Sequence, residues 1–160
     1  MKAPSPRSAN SDTESIDSIV SAAYAAISGR AGEERDWERM RSLFAPGARL
    51  IPTTRQAGHA IPDGETPQPL DVDTYIVRVR DFFATTGFFE TEVARRTEQF
   101  GRIAHAFSTY ESRRDPADPE PFMRGINSIQ LYHDGHRWWI VNIFWQHEHP
   151  DSRVPEKYLT

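Results

Sequence analysis

Cysteine is absent from this chain, which removes disulfides, thiolate metal sites and thiol nucleophiles from consideration. Lysine is almost absent too: Lys2 and Lys157 stand against seventeen arginines, so any group that holds an anion is a guanidinium fork rather than an ammonium. No apolar run approaches the ~18 residues a membrane span needs. The opening stretch MKAPSPRSANSDTES lacks the apolar region of a secretory leader. A protein of the cytoplasm, without a membrane partner, is expected. The net charge is -4, with acids and arginines interspersed; there is no basic block to follow a phosphate backbone, and nucleic acid is excluded as a partner. Glycine-rich phosphate loops, nucleotide fingerprints and a supported Ser-His-Asp arrangement are also missing.

The most informative stretch is Gly125 to Gln146. Two apolar strands, GINSIQLY and WWIVNIFWQ, meet at His133-Asp134-Gly135-His136, and Asp-Gly is a strong signal for a tight hairpin. Strict alternation puts Trp139, Val141, Ile143 and Trp145 on one face of the second strand and Trp138, Ile140, Asn142 and Phe144 on the other. Both faces are largely apolar. Such a strand is central, with a core on one side and a second layer or a partner subunit on the other.

At 160 residues the chain is one domain. Residues 1–12 read as a disordered tail, poor in apolar groups. Ser11-Asp12-Thr13-Glu14 has the form of a capping box opening a helix with Ile16, Ile19, Val20, Ala23, Tyr24 and Ile27 on one face. Asp36 caps a second helix carrying Trp37, Met40, Leu43 and Phe44, and Ala48 to Ile51 is a short strand. Pro52 to Pro69 holds four prolines and two glycines without periodicity and reads as a flap. Asp71 or Asp73 caps a third helix. After Gly87 the period changes from helical to alternating: Phe88–Phe100, Arg102–Arg113, Phe122–Tyr132 and Arg137–His147 are four long strands with short links. The fold class is α+β, with three N-terminal helices packed on one face of a curved antiparallel sheet, and residues 150–160 form a C-terminal arm.

This order of elements, with the Ala-Ala-Tyr-Ala-Ala-Ile stretch, the Asp-Trp-Glu-Arg-Met-Arg-Ser-Leu-Phe-Ala-Pro-Gly-Ala segment and the Asp-Gly-x-Arg-Trp-Trp-Ile strand, resembles the nuclear transport factor 2-like superfamily. Its SnoaL-like and ketosteroid-isomerase-like bacterial members are the most similar, and the likeness spans residues 13–149. The resemblance implies a cystatin-like cone with a pocket between helices and sheet, and a homodimer through the convex face. It does not imply one activity, since the superfamily holds isomerases, dehydratases, cyclases, hydrolases and non-catalytic binders.

Residue by residue, the resemblance matches Tyr24 to a tyrosine that donates to an oxyanion, and Asn127 to the second donor. The position of the general-base aspartate corresponds to Pro52, so steroid-type isomerisation is not implied. The base would be His59, from the flap, or Glu90. Asn127 pointing inward takes Gly125, Ile129 and Leu131 with it, and the ligand wall becomes Trp37, Ser108, Tyr110, Trp139 and Trp145. That pocket suits a small apolar or aromatic ligand oriented by a few hydrogen bonds. The His147-Glu148-His149 alternation has no third ligand in sight, and neither a metal nor a cofactor is expected. Two readings remain open: a lyase, isomerase or cyclase acting on a small apolar carbonyl compound, or a non-catalytic dimeric ligand-binding or accessory module.

Overall fold

The computed structural model describes residues 11–55 and 59–160, so most of the expected tail, and Gln56 to Gly58 of the flap, lie outside the described residues. Residues 11 and 12 are not part of a tail. Ser11–Thr13 form one 3-10 turn, and Asp12, buried, receives the Arg39 guanidinium at 2.7 and 3.0 Å. The first helix, α1 (Ile16–Ile27), is capped one turn later than the sequence suggests: Ser15 accepts from the Ser18 amide at 3.0 Å, and Ser18 accepts in return from the Ser15 amide. A serine fills the place usually held by glutamate, which is why the capping box was misplaced. Asp36 caps α2 (Trp37–Leu43), and Asp71 rather than Asp73 caps α3 (Val72–Thr85), accepting from the Thr74 amide at 2.7 Å.

Five strands are present: β1 (Phe44–Pro52), β2 (Phe89–Phe100), β3 (Ile103–Arg113), β4 (Met123–His133) and β5 (Trp138–His147); the last four follow the expected boundaries to within one residue, while β1 begins four residues before the expected Ala48 and takes Phe44 from the expected second helix. They lie in the order β1-β5-β4-β3-β2. The last four make the antiparallel meander, while β1 is added at the edge parallel to β5. A parallel neighbour needs a long crossover, and the chain from α3 through β4 supplies it. The helices cover one face of the sheet, where Ile19, Leu43, Ile76, Ile129 and Ile140 are almost wholly buried.

The register of β5 departs from simple alternation at one residue. Asn127 faces Trp145 and Ile129 faces Ile143, but Leu131 then faces Ile140, so Val141 is an extra residue in β5. A bulge of this kind reverses the facing of everything beyond it. Ile143 and Trp145 keep the inward direction expected of them. Trp138 and Ile140 turn into the core, at 7% and 0% exposed, and Trp139 and Val141 turn out. The expected place of Trp139 in the ligand wall is therefore corrected: its indole donates to Asp134 at 2.8 Å and its ring lies under the Arg137 guanidinium. The convex face loses Trp138 and Ile140 and keeps Phe144.

The C-terminal arm folds back over that face. Thr109 donates to the Tyr158 carbonyl at 2.6 Å, Arg96 donates to the Lys157 carbonyl, and the Tyr158 ring meets Phe107 edge-on. No helix among the described residues is long and apolar enough to cross a membrane.

Candidate functional site

Three contacts bring the end of α1 against the start of β2. Gly29 and Phe88 exchange backbone hydrogen bonds at 2.8 and 3.0 Å, and the Glu90 amide donates to the Ser28 hydroxyl at 3.0 Å. Ser28 in turn donates to the Tyr24 carbonyl. The last turn of α1 is thereby fixed beside Glu90, and Tyr24 enters the concave face of the sheet.

A cavity of about 780 Å³ opens between that face and α3. Tyr24, Thr54, Tyr110 and Asn127 are its buried polar lining, while the exposed lining residues Arg55, Val77, Asp81 and Phe82 mark its mouth. Its walls include Tyr75, Ile129, Ile143 and Trp145, with the Tyr75 and Trp145 rings packed edge to face. Pro52, at the position matched to a general-base aspartate, lies in the lining as well.

The polar groups form one chain. Ser108 donates to the Glu92 carboxylate, which also takes the Arg95 guanidinium at 3.4 Å. With its single proton so used, Ser108 accepts from the Tyr24 hydroxyl at 2.7 Å. Asn127 donates to the Tyr24 oxygen at 3.0 Å and to Glu90 at 3.3 Å, and Ser112 donates to the other Glu90 oxygen at 3.1 Å. Both ends of the chain are glutamates two residues apart on β2, yet their surroundings differ. Glu92 has Arg95 beside it; Glu90 faces the cavity and has no cationic partner among the described residues. Desolvation pushes the Glu90 carboxyl up to about 7, against the pull of the Asn127 and Ser112 hydrogen bonds. Burial, and then the charge of Glu90, raise the Tyr24 hydroxyl above the usual phenol range.

A second pair lies on the same wall. Tyr110, Gly125 and His147 are cross-strand neighbours on β3, β4 and β5. The Tyr110 hydroxyl crosses over Gly125 to reach His147 Nδ1 at 2.6 Å. Glycine is required in between: a Cβ there would stand 2.5 Å from the Tyr110 oxygen and 2.2 Å from the Gln146 carbonyl. Burial lowers the His147 pKa below the ordinary imidazole value, so the ring is neutral at pH 7 and Nδ1 accepts the Tyr110 proton.

The structure thus gathers Tyr24, Tyr110, Asn127 and Trp145 around one cavity. Ser108 stands behind Tyr24 and reaches the cavity only through it. Trp37 is a core residue stacked on Phe83 at 6.2 Å. His59 is exposed and absent from the lining, so as a candidate base it is replaced by Glu90. Several lining residues escaped the sequence reading, His147, Tyr75 and Arg78 among them. His147 follows from period two, since it continues the inward series Ile143, Trp145. Tyr75 was read only as part of an apolar helix face, and its hydroxyl makes no hydrogen bond among the described residues; burial and the Glu90 charge raise its pKa. Among the described residues no three histidines, aspartates or glutamates converge to hold a metal ion.

Comparison with solved structures places this arrangement. An NTF2-like protein of unknown function from Silicibacter pomeroyi superposes with a TM-score of 0.54 at 19% identity, covering 83% of this chain and 92% of that one. The chain has the NTF2-like fold. A second NTF2-like protein of unknown function, from Shewanella baltica, superposes at 0.50 with 15% identity over 84% of this chain and 91% of its own. At such identities the likeness concerns the fold alone. No protein-family model matches the sequence, and no curated protein does. What the NTF2-like cone holds in this chain rests on its own residues.

Proposed function

We propose that the protein is an enzyme that moves a proton on a small apolar carbonyl compound, in the manner of a lyase, isomerase or cyclase, with Glu90 as general base. The observation that carries this is Glu90: a carboxyl in the lining of an apolar cavity, oriented by Asn127 and Ser112, without a cationic partner and titrating at about 7. A base works best when its pKa lies near the operating pH, and strongly shifted groups in clefts are functional candidates.

Tyr24 and Asn127 take positioning roles in this reading. The Tyr24 proton is committed to Ser108 and the Asn127 amide to Tyr24 and Glu90, so they hold the base rather than the substrate. The free hydroxyl of Tyr75 is the donor for the substrate oxygen. Removal of the α-proton by Glu90 gives an enolate whose oxygen accepts from Tyr75, and return of that proton from Glu90 to the same carbon or to a conjugated one completes the turnover and restores the carboxylate. The homodimer belongs to the proposal too: Tyr132, Val141 and Phe144 leave apolar area on the convex face beside the arm, each about 40% exposed.

The test is solvent deuterium exchange at the α-carbon, followed by NMR over a panel of cyclic and aromatic ketones. Exchange above background that falls 10²-fold or more in Glu90→Gln is expected, the usual span of a general base being about 10²–10⁴. A panel that binds without exchanging, or a Glu90→Gln variant that exchanges as well as the parent, would return the protein to the class of non-catalytic binders.

A further inference from the structure

We propose that the molecule taken into this cavity carries an oxyanion, a carboxylate or a group of similar shape and charge, and that Arg78 at the mouth binds it. The inference rests on the cavity described above and adds to it the class of compound. Arg78 lies on α3 in the lining, partly buried, one turn beyond Tyr75. Its one hydrogen bond is long, from Nη2 to the Thr54 carbonyl at 3.3 Å. A guanidinium has five N–H donors, so four are left for something else.

Several neighbouring arginines have found acids, while Arg49 and Arg80, which lie outside the lining, pair with none among the described residues. Arg41 pairs with Asp73 and Glu38, Arg39 with Asp12, and Arg55, at the same mouth, with Glu65. Arg78 pairs with none among the described residues. Asp81, three residues on and also in the lining, makes no ion pair with it. The residues outside the description, 1–10 and 56–58, contain neither aspartate nor glutamate, so no internal carboxylate is left to claim this side chain. An unpaired guanidinium at the mouth of an apolar cavity is open to a counter-charge carried by the molecule that enters, and the planar fork is suited to a carboxylate.

The charged groups facing the cavity are Arg55, Arg78, Asp81 and Glu90, with His147 as a further titratable one. Of these only Arg78 is a cation free to bind. The charges of Arg78 and Glu90 both reach the Tyr75 hydroxyl, so a substrate lying along Tyr75 would place its anion at Arg78 and its reacting carbon at Glu90, keeping the two negative charges apart.

Binding of 2-naphthoate and of its neutral analogue 2-naphthamide, measured by calorimetry, tests this without any turnover. The expected result is naphthoate held about tenfold or more tighter than the amide, a preference lost in Arg78→Met and weakened by added salt. Loss of the Thr54 contact alone would weaken both probes equally. Equal affinity for the two probes in the parent protein overturns the anion site while leaving the cavity reading intact. A naphthoate preference that survives Arg78→Met overturns the assignment to Arg78. Binding of neither probe to the folded parent overturns the cavity reading together with this one.

Discussion

Glu90 and Glu92 share a strand, a face and a hydrogen-bonded chain, and the difference between them is one arginine. Only Glu90 is left to titrate by its surroundings, and that has a consequence for stability. Its carboxyl is raised from 4.5 to about 7, so the fold prefers the protonated form. Stability from this group is full below about pH 4.5 and declines as pH rises through about 7. Glu90→Gln removes the titration. Against the parent, the variant should gain on the order of 2 kcal/mol between pH 4.5 and pH 8, after discounting for water that reaches the cavity face. Urea unfolding at several pH values reads this directly, and a pH-independent difference between the two proteins would contradict it. Glu90 was legible in the sequence only as one of two possible bases. Nothing in the spacing of charges along β2 says which of two inward glutamates has an arginine folded against it, because Arg95 reaches Glu92 only after a bulge at Val93 shifts the β2 register.

At the scale of elements, the bulge at Val141 decides which tryptophan the core receives. Trp138→Ala should cost about 3–5 kcal/mol, the range for a large buried aromatic. Trp139→Ala should cost about 1 kcal/mol, for a surface cation–π contact and one hydrogen bond. Chemical denaturation of the two variants checks the order, and a larger loss at Trp139 would mean that strict alternation holds after all. The strands themselves were readable: the change of period after Gly87 and the turn signals at Gly101 and Asp134-Gly135 place each of β2 to β5 within one residue of where it stands. Facing was not, because a single inserted residue leaves no trace in a run whose two faces are both largely apolar. The misplaced cap of α1 has the same origin. Ser15 and Ser18 satisfy each other's groups as serine and glutamate would, but a serine pair carries no distinctive spacing.

Over the whole molecule, the arm and the bulge together define what remains of the convex face. The arm lies along β2 and β3 over Thr109 and Phe107; the uncovered part runs along β4 and β5 past Tyr132, Val141 and Phe144. If that part joins two copies, Phe144→Glu should convert a dimer to a monomer in sedimentation velocity without changing the far-ultraviolet circular dichroism, since Phe144 is 43% exposed in the single chain and contributes little to its core. A parent protein that sediments as a monomer would remove the dimer from the proposal. The layered arrangement as a whole was the most legible feature of the sequence, because one helical half and one alternating half leave few ways to bury both apolar faces.

The mouth of the cavity and its floor come from different parts of the chain. Arg55, Val77, Arg78, Asp81 and Phe82 belong to α3 and the loop after β1, while Tyr24, Glu90, Tyr110, Asn127 and His147 belong to α1 and the four-stranded meander. Substitutions far enough apart to share no partner act independently, so the two sets are separable in inheritance as well as in space. A lineage could exchange these mouth residues while keeping Tyr75 and admit a new compound with its proton chemistry as it was, and a library confined to those five mouth positions would explore acceptance without disturbing the machinery beneath.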